Sequence, residues 1–343
     1  MAAIQAEAQA DLIERAAYDA PGADRADPQR PALAAEDAGA EESGAEALDA
    51  PGFTLPAGVE LPEYDLKALE LIYRFKHPKQ GLIKKVSSLS SKPFEIAGNV
   101  VNRIPGIGKA LNLSTSGLVK VLSSGAGSSI RHEALYKKYR RKTKNEVRTL
   151  EDIQSLPLEQ CDKVGRALKR KYCSMAATEG AGVGFMAGLN PLAAAAAIAA
   201  DIPTLLGLCL RAIAEYAACY GFDIKDEEEK QFMLYCLNFS TGNSKMSRNG
   251  MLSNLTKIAR KAMTSSTSHQ MQQQVTAQLV KELAEQLGVR VTKQKIAAAI
   301  PLAGAFINSG FNALLVNKVC TAAFMLYRER FLARLHSCPE LIS

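Results

Sequence analysis

Tryptophan is absent from this chain of 343 residues, and aromatic residues of all kinds make up only 6% of it. A sandwich of two sheets draws heavily on Val, Thr and aromatic side chains, so that architecture is disfavoured. The seven cysteines (Cys161, Cys173, Cys209, Cys219, Cys236, Cys320, Cys338) contain no CxxC pair and no evenly spaced framework. Free thiols in a reducing compartment are therefore expected. The four histidines, His77, His132, His269 and His336, are too scattered to suggest a zinc site. No GxxxxGK[ST], HExxH or GxSxG motif occurs, which leaves phosphate-loop, zinc-protease and serine-hydrolase chemistry without a sequence signature. The start of the chain lacks the basic residues and apolar core of a secretory signal. No cofactor and no catalytic residue is indicated.

What the chain does have is small apolar residues and a divided charge. Hydrophobic residues make up 47%, with alanine and glycine abundant, as suits helices whose backbones approach closely. Residues 1–65 hold 15 acidic and 3 basic side chains, a net charge of −12, whereas the remainder carries +19. A cationic body invites an anionic partner, either lipid headgroup or nucleic acid. A solvated surface partly neutralised by the tail is the plainer alternative.

Residues 1–61 form an Ala-, Asp-, Glu- and Pro-rich stretch centred on AAEDAGAEESGAEALDAPG. Few large apolar side chains are available there to offset the entropy of ordering, so a disordered acidic tail is expected ahead of a helical domain at 62–338. From Pro62 the spacing predicts a helix ending near His77-Pro78, then short helices separated by turns through Asn112. The densest charge run of the body follows, with Lys137, Lys138, Arg140, Arg141, Lys142, Lys144 and Arg148 interleaved with Tyr136 and Tyr139. Such a cluster can hold an anionic membrane surface. Phosphate contacts to nucleic acid are the second possibility, unsupported by any RNP, KH or zinc-finger pattern.

Thr149-Leu150-Glu151-Asp152 has the form of a capping box. Leu158, Cys161, Val164 and Leu168 then line one side of a helix, and Lys169, Arg170 and Lys171 look suited to its C-terminal end. Between Glu179 and Asp201 lie 21 residues without charge, GAGVGFMAGLNPLAAAAAIAA. Two packed helices are expected here, broken at Asn190-Pro191 or at Asp201-Ile202-Pro203. A membrane span is the other possibility, but its five strong inserters supply only about −1.5 to −3 kcal/mol. Gly180, Gly184 and Gly188 recur at a spacing of four, giving one face a close approach to a neighbour. In the next segment Asp201 reads as an N-cap with Pro203 in the first turn. Arg211 and Glu215 read as an i,i+4 pair, and Tyr220-Gly221 as a glycine C-cap.

Beyond an acidic helix start at 223–229, TGNSKMSRNG reads as a loop. Val275, Leu279, Leu283 and Leu287 read as a core stripe ended by Gly288. A second uncharged run spans 296–317. Insertion of 180–200 or 296–317 into a membrane is the lesser expectation. The glycines at 182 and 184 formally fit a dinucleotide fingerprint, but the residues before them read as helix, not strand.

The segments GAGVGF, ADIPTLLGLCLRAIAEYAACYGFDIKDEEEKQFMLYCL, LGVRVTKQKIAAAIPLAGAFINSGFN and LYRERFL together resemble the EcsC family. ALELIYRFKHPKQG and LEDIQSLPLEQCDKVG extend the likeness to roughly 64–335. Tyr73 and Phe75 stand where relatives often carry tryptophan. The resemblance implies an association with bacterial membrane transport or secretion, without an established enzymatic activity. It maps recurrent polar positions onto Asp201, Pro203, Arg211, Glu215, Tyr220, Gly221, Arg328 and Glu329. The combined expectation is an all-α, multi-helix bundle with Gly/Ala-rich, close-packed central helices. Asp201, Arg211, Glu215, Arg328 and Glu329 are its polar organisers or a ligand site. The expected role is a non-enzymatic accessory or scaffold, cytoplasmic and peripheral to the inner membrane, bound to an anionic surface or a membrane-protein complex. The alternative is a helical enzyme or a binder of lipid or a small hydrophobic ligand near Arg211 and Glu215.

Overall fold

Proline brackets the first helix. In the computed structural model α1, Glu63–Lys76, starts after Pro62 and ends at His77, ahead of Pro78. Glu63 and Asp65 in its first turn and Arg74 and Lys76 in its last complement the helix dipole. Its buried face carries Asp65, Ala68, Leu69, Ile72 and Lys76, so the apolar stripe has a charge at each end.

The structure describes residues 53–78, 107–123, 130–187, 191–242, 245–264, 269–299 and 308–342. Among these residues are ten α-helices and no strand. After α1 come α2 (Ile107–Ser123), α3 (His132–Thr143), α4 (Leu150–Gln154), α5 (Leu158–Ala187) and α6 (Pro191–Cys219). They continue as α7 (Glu227–Thr241), α8 (Lys245–Thr264), α9 (His269–Ala299) and α10 (Asn308–Leu335), with a final 3-10 turn at Pro339–Leu341. Residues 1–52, which hold most of the acidic stretch, and 79–106 lie outside the described residues. So do the side chains of 179–199 and 296–310, including the Gly180/Gly184/Gly188 face and most of the two uncharged runs.

The bundle is built around α10, which packs against α1, α5, α6, α7 and α9. Helices α5 and α6 pack as a pair, and α2 lies between α6 and α9. Leu158, Cys161, Val164 and Leu168 are all fully buried along one side of α5. The Thr149 capping box is present: its side chain accepts from the Asp152 amide at 3.2 Å, and Asp152 accepts from the Thr149 amide at 3.0 Å.

Several boundaries fall elsewhere than the local signals place them. Helix α5 ends at Ala187 and α6 begins at Pro191, so the chain breaks at the first of the two expected places; Asp201 and Pro203 sit inside α6. An interior proline removes a hydrogen bond and costs roughly 3 kcal/mol in isolation, but here its ring is a packing element. It faces Gly117 on α2 so closely that a Cβ added there would lie 2.6 Å from Pro203 Cγ. Gly288 likewise does not end α9. A Cβ at that position would lie 2.8 Å from Thr115 Oγ1, so the glycine permits the approach of α2. Lys169–Lys171 lie mid-helix, because α5 continues to Ala187. The segment from Lys245, read as loop, is already α8. Val275 is 53% exposed, while Leu279, Leu283 and Leu287 are buried as expected.

The end of α6 follows local chemistry closely. Phe222 donates its amide to Ala217 at 2.9 Å and Gly221 donates to Ala218 at 3.0 Å, a Schellman motif. Gly221 takes the left-handed conformation this requires, with φ at +75°. A Cβ there would also lie 2.7 Å from the Leu150 carbonyl oxygen, so the turn is closed to side chains.

Among the described residues one helical segment, Ala200–Cys219, is long and apolar enough to cross a membrane, but 72% of that window is buried within the bundle. Its apolar surface is covered by α2, α5 and α10.

Candidate functional site

Successive residues on a helix point about 100° apart, so three consecutive charges on a central helix reach three different neighbours. Arg328, Glu329 and Arg330 on α10 do so. Arg328 pairs with Asp162 of α5 at 2.8 Å, Glu329 with Lys76 of α1 at 2.8 Å, and Arg330 with Glu229 of α7 at 2.7 Å. No side chain in these pairs is more than 5% exposed. Each charge is therefore desolvated and matched, and removing one partner takes a charge-assisted contact from a buried ion.

Asp162 is engaged by three side chains. Besides Arg328 it accepts the Tyr64 hydroxyl at 2.7 Å and the Tyr220 hydroxyl at 2.7 Å. Burial and then the Asp162 charge push the Tyr220 hydroxyl well above the usual phenol range, which keeps it a neutral donor. Arg330 gains a second kind of support, with its guanidinium 4.2 Å from the ring centres of both Phe222 and Phe232. At the far end of α1, Asp65 meets His336 at 2.8 Å. Thus α1 is tied to α10 at two heights.

Glu215 on α6 forms a separate polar centre. It meets Lys171 at 2.8 Å, Lys138 at 3.4 Å and the Tyr172 hydroxyl at 2.7 Å. Burial works against ionisation of Glu215, yet the two ammonium groups and the hydroxyl bring its carboxyl down to about 2. Its charge is thus met from α3 and α5. Arg211, one turn earlier, contributes its backbone carbonyl to the Tyr172 hydroxyl at 3.3 Å. Asp201 does not cap a helix; it pairs with Lys295, which is buried on α9. The five expected organisers therefore do not converge on one site. They are distributed over three buried or half-buried centres, joined to Asp162, Lys76, Lys295, Lys138 and Lys171.

The basic run lies on α3 and the segment after it. Leu135 and Tyr139 are buried, with the Tyr139 hydroxyl donating to the Cys219 carbonyl, and these fix which face is outward. Lys138 turns inward to Glu215, and Arg148 pairs with Glu146 at 2.6 Å. Lys142 donates to the Lys163 carbonyl of α5 at 3.1 Å. Lys137, Arg140, Arg141 and Lys144 are exposed and have no ion-pair partner among the described residues.

A cleft of about 320 Å³ opens between α4, the turn after α6, and the end of α10. Glu151, Asp223, Asp226, Arg330 and Arg334 line it, with Phe222 at its wall. Neither Arg211 nor Glu215 lines it. Among the described residues no group of His, Cys, Asp and Glu is arranged to hold a metal ion. All seven cysteines are free thiols, and burial pushes the Cys161 thiol up to about 12 and those of Cys219, Cys236 and Cys320 higher still. As neutral thiols these four are poor nucleophiles.

Sequence reading missed Lys76, Asp162, Glu229, Lys295 and Arg330. A signal for three of them is visible in retrospect, namely a charge at a core-facing helical position. Lys76 continues the Leu69, Ile72 face, Asp162 falls between Cys161 and Val164, and Glu229 stands one turn before Phe232 and Met233 of α7.

No solved structure matches the chain. The uncharacterized protein YdbA of Bacillus subtilis (strain 168) is 24% identical over 251 residues, spanning 71% of this chain and 84% of that protein. The model of the EcsC protein family matches residues 72–332, a span that takes in the end of α1, all of α2 to α9 and α10 as far as Leu332, including the Arg328–Arg330 triplet; the chain belongs to the EcsC protein family.

Proposed function

We propose that this protein is a non-enzymatic accessory or scaffold that docks peripherally on an anionic membrane surface through α3. The observation that carries the proposal is the contrast in charge pairing. The α10 charges are matched one to one, whereas Lys137, Arg140, Arg141 and Lys144 are exposed and have no ion-pair partner among the described residues. Each basic side chain held near an anionic leaflet is worth about 1 kcal/mol, so four supply about 4 kcal/mol. Burial of Leu135 and Tyr139 leaves α3 without an apolar anchor, which favours electrostatic and reversible attachment. A cytoplasmic location and a membrane-protein complex as partner fit the same surface.

Flotation of the full chain with neutral and anionic vesicles tests this. Binding to anionic vesicles that falls with salt is expected, because surface charge is screened within a Debye length of ~8 Å at physiological salt. Failure to float with either kind would sink the proposal. Displacement of bound protein by short RNA, with a steeply salt-dependent gel shift, would transfer the surface to nucleic acid instead.

A ligand or enzymatic role at Arg211 and Glu215 is less well supported. Glu215 already meets two ammonium groups and a hydroxyl, and a carboxylate held near 2 is a weak general base at neutral pH.

A further inference from the structure

Lys142 marks a place where α3 and α5 bring cations together. Its ammonium is held against α5 by the Lys163 carbonyl at 3.1 Å. Lys138 and Arg141 lie within one turn of it on α3, and Arg170 stands about two turns beyond Lys163 on the same face of α5. The acids on the packed helices are already engaged: Glu159 of α5 by Lys163 at 3.0 Å, and Glu215 of α6 by Lys138 and Lys171. Arg141 and Arg170 are exposed and have no ion-pair partner among the described residues. Burial and the three nearby cations lower the Lys142 ammonium from its ordinary range. Arg170 lies outside the basic run that the sequence presents, and only the packing of α3 on α5 adds it.

We propose that Lys142, Arg141 and Arg170 form a site for a phosphate monoester on a lipid headgroup, so that the α3 surface distinguishes dianionic from monoanionic membranes. This rests on the membrane reading above and adds a headgroup class to it. A phosphate monoester carries about −1.5 to −2 charge at neutral pH and presents three acceptor oxygens. Three neighbouring cations, two of them guanidinium forks suited to phosphate oxygens, match that set. A phosphodiester offers a single charge and fewer free oxygens. The bilayer is the favoured source because Lys137, Arg140 and Lys144 are exposed on α3 and just beyond it, ready to meet neighbouring headgroups.

The test is co-flotation of the full chain with phosphatidylcholine vesicles carrying phosphatidate or phosphatidylglycerol at matched surface potential. Phosphatidate vesicles are expected to bind roughly tenfold more tightly near pH 7.5, with the advantage shrinking to about twofold near pH 5.5 as the monoester loses its second charge. Arg170→Gln should erase the preference, leave binding to phosphatidylglycerol within about threefold, and melt like the parent, since Arg170 is exposed. Equal binding to both vesicle types at matched potential overturns the monoester site and leaves membrane docking standing. Binding to neither removes the docking itself. Release of the protein from phosphatidate vesicles by glycerol 3-phosphate, with saturable binding of that soluble compound, would also overturn the lipid assignment.

Discussion

Helices α3 and α10 are both rich in charge, and they use it in opposite ways. On α10, Arg328, Glu329 and Arg330 are at most 4% exposed, and each has its own partner on a different helix. On α3 and just beyond it, four cations face outward and only Lys138 turns inward to an acid. Buried pairs gain little net energy but punish misassembly, because any other arrangement strands a desolvated charge. The α10 triplet therefore specifies which helices surround the centre. The α3 cations cost the fold almost nothing and are available for recognition.

Removing one partner on α10 is the most severe way to break this contrast. Glu329→Ala should destabilise the protein by about 3–5 kcal/mol, since it removes the carboxylate whose two oxygens accept from the buried Lys76 ammonium at 2.8 Å. Urea denaturation followed by circular dichroism reads this directly. Replacing both, as Lys76→Met with Glu329→Leu, should recover most of the loss. A single substitution with little effect would mean that water reaches the pair and that the triplet does not organise the core.

Glu215 stands between the two regimes, half-buried and held partly by α3. Its carboxyl in the folded state lies near 2, below the ordinary 4.5. Its contribution is therefore complete above about pH 4.5 and is lost as pH falls toward about 2. The sum is on the order of 2–3 kcal/mol. Glu215→Gln should lower stability at neutral pH and flatten its decline across that acid window, as measured by thermal melts at stepped pH. An unchanged acid limb would show that Lys138 and Lys171 do not engage it in solution.

A smaller effect comes from the glycines that let α2 approach. Gly117→Ala forces a methyl to within 2.6 Å of the Pro203 ring, and overpacking of this kind costs about 1–3 kcal/mol. The alanine's better helix propensity returns about 1 kcal/mol of that. Gly250→Ala on α8 is the matched control: nothing lies within 4 Å of the added carbon, so a gain of up to about 1 kcal/mol is expected. If both substitutions behave alike, α2 does not pack on Pro203 as described.

The all-α class, the limits of α1, the Thr149 capping box and the Gly221 C-cap were all legible in the sequence, because each is set by neighbours within a few residues. Pro203 and Gly288 misled local reasoning for a common reason. Their usual meaning as helix breakers was overridden by a partner helix more than 80 residues away. The site was legible in residue type rather than in pairing. Arg328 and Glu329 could be singled out as polar organisers, but Asp162 and Lys76 lie 166 and 253 residues from their partners. Sequence periodicity carries no information across such spans. The same limit hid Arg170, which joins the α3 cations only once α3 is laid on α5.

The outward cations of α3 should give the smallest effect on stability and the sharpest effect on recognition. Converting Lys137, Arg140, Arg141 and Lys144 together to glutamine removes four exposed charges with no ion-pair partner among the described residues. Such surface changes stay within about 0.5 kcal/mol each. Relief of mutual repulsion on α3 acts in the stabilising direction, so the denaturation midpoint should hold or rise slightly. Partition onto anionic vesicles should nevertheless fall by about two to three orders of magnitude, the equivalent of about 4 kcal/mol at about 1 kcal/mol per residue. A variant that melts lower while still binding vesicles would reverse the assignment. These cations would then belong to the fold, and the membrane surface would have to be sought on another face.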